Sequence, residues 1–161
     1  MEDAPDTPWT PEGVTAFGTF RGECDAVPVS RHFGRLERLR QQKRWQWCGV
    51  FSEEVALGVA IVRTGYASNI FCWVFDRQQR EFLHDVSRVL PRAAVDVAET
   101  PRRGRAAKYQ AIVEGLEITR EDAVWTVSGT IADVMLDLEL RETGVPMTAI
   151  CPVKDNEQHL N

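Results

Sequence analysis

The gaps between the apolar runs of this sequence constrain its fold more than any other feature. WQWCGVF, VALGVAIVR and YASNIFCWVFD are separated by only SEE and TG. Gaps of this size suit antiparallel hairpins and leave no room for the crossover helices that parallel strands need. The three runs therefore predict three consecutive antiparallel strands and disfavour a parallel α/β architecture.

The same pattern continues along the chain. An earlier strand is predicted in VTAFGTFRG, and later strands in EFLHDVSRVL, AAKYQAIVEG, LEITR, AVWTVSGT, IADVMLDLEL and VPMTAIC. One short helix is predicted between Arg31 and Lys43, where Phe33, Leu36 and Leu39 recur every three residues. About eight to ten short strands in series are typical of a β-sandwich or an up-and-down barrel. We favour an all-β, antiparallel, lipocalin-like (calycin-like) barrel, because closure removes exposed strand edges.

Length and composition suit one globular domain. The chain has 161 residues, of which 43% are hydrophobic and 27% charged. Its acidic, proline-rich start predicts a flexible arm at 1–12, followed by the barrel domain at 13–153 and a tail at 154–161. Because no run is long enough to span a membrane and the start lacks the basic region of a signal peptide, we expect a cytoplasmic protein.

Several kinds of chemistry find no support in the sequence. The net charge of -5 argues against a dedicated nucleic-acid binder. No histidine or cysteine has metal-ligand spacing, and no nucleotide-binding or hydrolase motif is present, so we expect no metal and no cofactor and assign no catalytic residue. Cys24, Cys48, Cys72 and Cys151 are expected to be reduced and mostly buried, although Cys48 and Cys72 could be neighbours across a sheet.

Two predicted strands each have one face that is rich in aromatic residues. Strand alternation places on one face of the first strand Trp45, Trp47, Gly49 and Phe51. It groups in the second strand Ala67, Asn69, Phe71, Trp73 and Phe75. If these faces point into a barrel, they form an apolar chamber for a small molecule. The sequence leaves open the alternative that they fill the interior or pack against another part of a protein.

The candidate ligand-binding residues combine these aromatic side chains with nearby polar ones. They are Trp45, Trp47, Tyr66, Asn69, Trp73, Tyr109 and Trp125. Tyr66 follows Gly65 in a predicted tight turn, so we expect it at the rim of the barrel. Polar residues of this kind are more often structural hydrogen-bonding groups than ligand contacts.

Segments 43–76 and 148–153 carry a resemblance to known proteins. KRWQWCGVFSEEVALGVAIVRTGYASNIFCWVFD and TAICPV resemble an uncharacterised bacterial family of double lipocalin-like proteins, distantly similar to hydroxyneurosporene synthase-like hydratases and tocopherol cyclases. The resemblance implies paired lipocalin-like barrels that handle isoprenoid or other greasy substrates without a metal or redox cofactor. It also implies that this chain corresponds to the first of two halves, with a second half as a possible partner.

Charged segments allow a functional and an ordinary interpretation. The basic block at 31–44 could contact anionic lipid headgroups at a membrane surface, although a solvated helix face is the favoured interpretation. In IADVMLDLEL the carboxylates of Asp133, Asp137 and Glu139 share one face and could act as an acid and its partner. Acidic residues on the wet face of an antiparallel sheet are common, which favours solvation here as well.

Three functional hypotheses remain at this point. The first is binding of a hydrophobic small molecule, a lipid or an isoprenoid, in a barrel cavity. The second is a cofactor-independent hydratase or cyclase in which a carboxylic acid protonates an alkene. The third is a non-catalytic module whose aromatic face docks another chain. Whether any reaction is catalysed stays open.

Overall fold

The fold is all-β and antiparallel with one short helix, as predicted. The computed structural model describes residues 1–10, 12–25, 27, 34–99, 103–153 and 157–160. The strand ladders of these residues form three separate sheets, and no closed barrel is found in this part of the chain. The chain divides into two compact units, one built from 1–34 and 142–161 and the other from 35–141.

The smaller unit contains a three-stranded antiparallel sheet in the order β1-β11-β12. Its strands are β1 (Gly18–Arg21), β11 (Met147–Val153) and β12 (Glu157–Leu160). Isolated bridges join Asp3 to Arg21 and Trp9 to Thr15, and the Trp9 side chain is buried. The sequence-based boundaries of an arm at 1–12 and a tail at 154–161 stay predictions.

The larger unit contains the helix and nine strands. The helix is α1 (Arg35–Gln41). Four strands follow it: β2 (Lys43–Phe51), β3 (Val55–Thr64), β4 (Ala67–Asp76) and β5 (Glu81–Pro91). After a 3₁₀ turn at Arg92–Ala94 come β6 (Val95–Val97), β7 (Gly104–Gln110), β8 (Gly115–Glu121), β9 (Val124–Ile131) and β10 (Val134–Arg141).

Strands β2 to β5 form a four-stranded meander whose turns are fixed by short polar side chains. In the β3–β4 turn the Thr64 hydroxyl donates to the carbonyl of Ala67 at 2.8 Å and accepts from its N–H at 3.0 Å. In the β4–β5 turn the Asp76 carboxylate accepts the N–H groups of Gln78 and Gln79, both at 2.8 Å. Asp76 is therefore a turn-forming residue, as its sequence position indicates.

Strands β6 to β10 form a five-stranded sheet in the order β10-β9-β8-β7-β6. Here the structure corrects the predicted strand over 131–140, because Ala132 and Asp133 form the turn between Ile131 and Val134, which are paired. Ala132 has φ of 52° and donates its N–H to the Glu114 carboxylate at 3.0 Å. Ala132 and Asp133 therefore do not belong to the two faces of a strand.

The two sheets of the larger unit share one hydrophobic core. The four-stranded sheet contributes Cys48, Val59, Ile61, Ile70 and Cys72, and the five-stranded sheet contributes residues such as Tyr109, Leu116, Ile118, Val127 and Leu136. Each sheet thus presents one face to this core. The opposite face of each sheet is its outer face.

The four cysteines all lie among the described residues and form no disulfide, and all except Cys151 are buried, as predicted. Cys48 and Cys72 both pair with Val59, one from each side, so they lie two strands apart. Two strand spacings are about 9.5 Å, which is too far for a disulfide. Burial raises the pKa of Cys48 to about 11 and also raises that of Cys72.

Candidate functional site: an exposed aromatic face

The tryptophans of β2 lie on the outer face of the four-stranded sheet. Cys48, which points to the core, is 7% exposed, whereas Trp45 and Trp47, which lie on the opposite face of the same strand, are each 44% exposed. The sequence pattern predicted which residues share a face, and that grouping is confirmed. The structure adds that the aromatic residues are turned away from the core described above.

Five rings form a connected series on this outer face. Trp47 contacts Phe51, Phe51 contacts Trp73, and Trp73 contacts Phe82, with ring centroids 6.4, 6.3 and 6.4 Å apart. Phe82 also packs edge-on against Phe75 at 5.0 Å. We call these five rings, together with Trp45, the aromatic face. Phe51 and Phe82 are 65% and 59% exposed, so much of this apolar surface is open.

Glycines provide the floor beneath the two central indoles. Gly49 and Gly58 are cross-strand partners in β2 and β3. A Cβ atom at Gly49 would lie 2.2 Å from the Trp47 ring, and one at Gly58 would lie 2.4 Å from the Trp73 ring. Since no side chain fits at either position, the indoles lie directly on the backbone of the sheet.

Two of the other candidate residues belong to this same sheet. Asn69 lies on the same face of β4 as Trp73. Its side-chain oxygen accepts a hydrogen bond from the Ser87 hydroxyl at 3.3 Å. Tyr66 is 76% exposed in the β3–β4 turn. Thus Trp45, Trp47 and Trp73 share the outer face with Asn69, while Tyr66 lies at the end of the sheet.

The remaining two candidates lie in the five-stranded sheet and do not join the aromatic face. Tyr109 is buried in the core, where its hydroxyl donates to the Glu114 carboxylate at 3.1 Å. Burial, and then the neighbouring Glu114, raise the pKa of Tyr109. Trp125 is half-buried beneath Arg120, whose guanidinium carbon lies 5.0 Å from the ring centroid. Both side chains therefore have structural partners inside their own sheet.

The register places one carboxylate beside the aromatic rings. Asp85 in β5 is directly opposite Trp73, and it is exposed. The acids that sequence position had placed nearest the aromatic strands, Glu53, Glu54 and Asp76, all lie at turns. Among the residues that the structure describes, no group of three or more acidic, histidine or cysteine side chains is arranged to hold a metal ion.

Phe82 is the member of the aromatic face that the sequence pattern missed. The β4–β5 pairing shifts register between Val74 and Phe75, and this bulge brings Phe82 opposite Phe75. The hairpin turn at 77–80 would have predicted that the start of β5 lies beside the end of β4. The position of the bulge has no comparable signal in the sequence.

Comparison with known proteins assigns the chain to a family. A family described as a domain of unknown function, DUF2804, matches residues 7–160. The chain belongs to this family. Comparison of this DUF2804 domain with curated proteins and with solved structures gave no match. In the described parts of this DUF2804 domain, no helix has both the length and the apolar character needed to cross a membrane.

Proposed function

We propose that this domain binds a hydrophobic small molecule, of the lipid or isoprenoid class, on the aromatic face of the four-stranded sheet. The observation that carries the proposal is the connected series of partly exposed rings from Trp47 through Phe51 and Trp73 to Phe82. Exposed apolar patches of this kind are typical of sites that bind ligands or partners.

The size of the exposed surface favours a long ligand over a compact one. An aromatic side chain has about 150 to 250 Å² of surface, so a half-exposed ring offers roughly 100 Å². At about 25 cal/mol per Å², covering one such ring contributes about 2 to 3 kcal/mol. Because association itself costs at least about 4 kcal/mol, a ligand must cover several rings at once to bind measurably.

The lining chemistry supports an apolar chain. The floor is the glycine pair of β2 and β3, which lets Trp47 and Trp73 lie flat and present ring faces and edges. Such rings attract hydrocarbon chains through apolar contact. Segment 43–76 resembles an uncharacterised family that is distantly similar to hydratases and cyclases of isoprenoids, and this distant similarity agrees with the proposed ligand class. Asp85, the carboxylate opposite Trp73, is exposed on the open face of the sheet and is not enclosed in an apolar chamber, so binding is favoured over hydratase or cyclase chemistry.

Paired variants test the proposal against general loss of surface hydrophobicity. Phe51→Ser and Phe82→Ser each remove an exposed ring from the aromatic face, whereas Met135→Ser removes an exposed apolar side chain from the five-stranded sheet. Tryptophan fluorescence is titrated with palmitate and with geranylgeraniol. We expect saturable binding that Phe51→Ser and Phe82→Ser each weaken by at least about 10-fold, while Met135→Ser behaves as wild type. A wild-type protein that binds neither ligand, or equal weakening by Met135→Ser, would overturn the proposal.

A second candidate function is the docking of another polypeptide on the same face. The observation in its favour is that the rings spread over the outer face of an open sheet, as in many protein interfaces. Light scattering of the purified protein over a range of concentrations distinguishes the two. Self-association that Phe82→Ser abolishes and Met135→Ser preserves, in a protein with no response to palmitate, would establish docking in place of ligand binding.

A further inference from the structure

A second feature of the larger unit is an arginine-rich pocket at the β3–β4 end of the four-stranded sheet. It has a volume of about 180 Å³ and is lined by Arg38, Gln42, Arg44, Arg63, Thr64, Gly65, Arg92 and Glu99. The lining comes from α1, β2, β3, the β3–β4 turn, the 3₁₀ turn and the residues after β6. We call it the arginine pocket. Its lining shares no residue with the aromatic face.

Close packing of the helix on the β3–β4 turn builds this pocket. A Cβ atom at Gly65 would lie 1.8 Å from the backbone oxygen of Leu39, so only glycine allows α1 to approach so closely. This approach places Arg38 of the helix beside Arg63 and Thr64 of β3. On the other side, the Ser68 hydroxyl donates to the carbonyl of Arg92 at 3.2 Å and fixes the 3₁₀ turn.

The pocket gathers more positive charge than its carboxylates neutralise. Arg44 and Arg63 are direct cross-strand partners, an arrangement of like charges that is destabilising by itself. Arg44 pairs with Glu99, and Arg63 lies 3.2 Å from Asp96, which it shares with Arg105 at 3.5 Å.

Two further guanidinium groups, those of Arg38 and Arg92, have no ion pair in the part of the chain that the structure describes. Burial, and then the charge of Arg92, lower the pKa of Arg63, and Arg44 adds to this while Asp96 opposes it. The environment of Arg63 thus disfavours its positive charge, which an additional anion would stabilise.

Buried donors in the pocket lack acceptors. The Nε atoms of Arg38 and Arg63 are inaccessible to solvent and have no hydrogen-bond partner among the described residues. A buried N–H group without an acceptor costs free energy, and one on a charged group costs more. The same oxyanion that balances the charge would supply acceptor oxygens.

We propose that the arginine pocket binds a phosphate group, either of a soluble phosphate compound or of a phospholipid headgroup. Guanidinium groups match the oxygen spacing of phosphate and bind it through paired, charge-assisted hydrogen bonds. The pocket volume accommodates a group of this size. Arg38 and Arg44 come from the basic block of the sequence, and Arg63 and Arg92 come from distant positions in the chain. Together they line one site.

Calorimetric titration of the whole chain with inorganic phosphate and with pyrophosphate, at constant ionic strength, tests this site. Arg92→Gln removes a guanidinium that has no ion pair among the described residues, and Arg38→Gln provides a second variant if the first does not fold. Arg80→Gln is the matched control, because Arg80 lies in the β4–β5 turn at the other end of β4. Co-sedimentation with phosphatidylcholine vesicles, with and without phosphatidic acid, distinguishes a lipid headgroup from a soluble phosphate.

We expect phosphate or phosphatidic acid to bind the wild type and Arg80→Gln alike, and Arg92→Gln or Arg38→Gln to bind at least about 10-fold more weakly. If inorganic phosphate or pyrophosphate binds, the ligand of the pocket can be a soluble phosphate compound. If only the vesicles with phosphatidic acid bind, the ligand is a phospholipid headgroup. The proposal is wrong if neither probe binds the wild type, or if Arg80→Gln weakens binding as much as Arg92→Gln. Because neither probe requires the aromatic face, failure here leaves the ligand proposed above untouched.

Discussion

The outer faces of the two sheets in the larger unit differ sharply although both sheets cover the same core. On the five-stranded sheet, Asp137 and Glu139 of β10 are exposed and alternate with Leu136, Leu138 and Leu140, which face the core. On the four-stranded sheet, Trp47 occupies the equivalent outward position next to buried Cys48. The carboxylates are satisfied by water. The rings expose apolar area whose burial would be favourable, and this difference is the basis of the binding role proposed for the four-stranded sheet.

The largest expected effect tests whether the two sheets share one core. Ile61 in β3 and Ile118 in β8 are both fully buried, one from each sheet. Truncating either to alanine should lower the free energy of unfolding by about 2 to 5 kcal/mol, through lost apolar burial and the cavity left behind.

Urea unfolding followed by circular dichroism measures this effect. A single transition that both variants shift to a similar extent is the expected result. If Ile61→Ala were nearly silent while Ile118→Ala were severe, the four-stranded sheet would not depend on the shared core.

A smaller loss of stability is expected when a glycine of the four-stranded sheet is replaced, and little loss when a glycine of the five-stranded sheet is replaced. In Gly58→Ala the new methyl group would lie 2.4 Å from the Trp73 ring, which must then leave the sheet surface. We expect a loss of about 1 to 3 kcal/mol, as for other overpacked sites, together with a shift of the tryptophan emission.

Gly115→Ala in β8 is the control for this substitution. Its methyl group would lie 3.3 Å from the flexible end of Gln110 and 3.5 Å from the carbonyl oxygen of Tyr109, so it should change the free energy of unfolding by less than about 0.5 kcal/mol. Equal effects of the two substitutions would show that the close indole-to-glycine packing is unimportant.

The last expected effect is a pH dependence of stability that arises on the core side of the four-stranded sheet. Burial raises the pKa of the Cys48 thiol from 9.0 to about 11, so the folded state keeps the neutral thiol over a range in which the unfolded chain ionises. The stability contributed by the neutral thiol is present below pH 9 and is lost as pH rises toward about 11. Unfolding curves across this range should therefore decline more steeply for wild type than for Cys48→Ala. Parallel curves would contradict a buried thiol at this position.

Strand order and side-chain grouping were predictable because they depend on local pattern. The short gaps at 52–54 and 64–65 indicated the hairpins of β2, β3 and β4, and period-two alternation grouped Trp45 with Trp47. The direction in which a face points was not predictable, because alternation alone does not distinguish the core side of a sheet from its outer side. The turn at Ala132 was missed since alanine with positive φ gives no turn signal.

The arginine pocket shows a different limit of sequence reasoning. Arg38 and Arg44 stand out in a basic block, whereas Arg63 follows an apolar run and Arg92 follows a proline. Their meeting depends on the register that pairs Arg44 with Arg63 and on the close approach of α1 to Gly65. Both are properties of tertiary packing, which one sequence does not specify by local pattern.

The most direct test of the aromatic face uses the five tryptophans as position markers. Each indole N–H gives one signal in a ¹H–¹⁵N correlation spectrum, and the five signals are assigned by single Trp→Phe variants. On titration with palmitate, the signals of Trp47 and Trp73 should shift and saturate together, while those of Trp9 and Trp125 remain in place. Unchanged Trp47 and Trp73 signals, or a shift centred on Trp125, would contradict a ligand site on the four-stranded sheet.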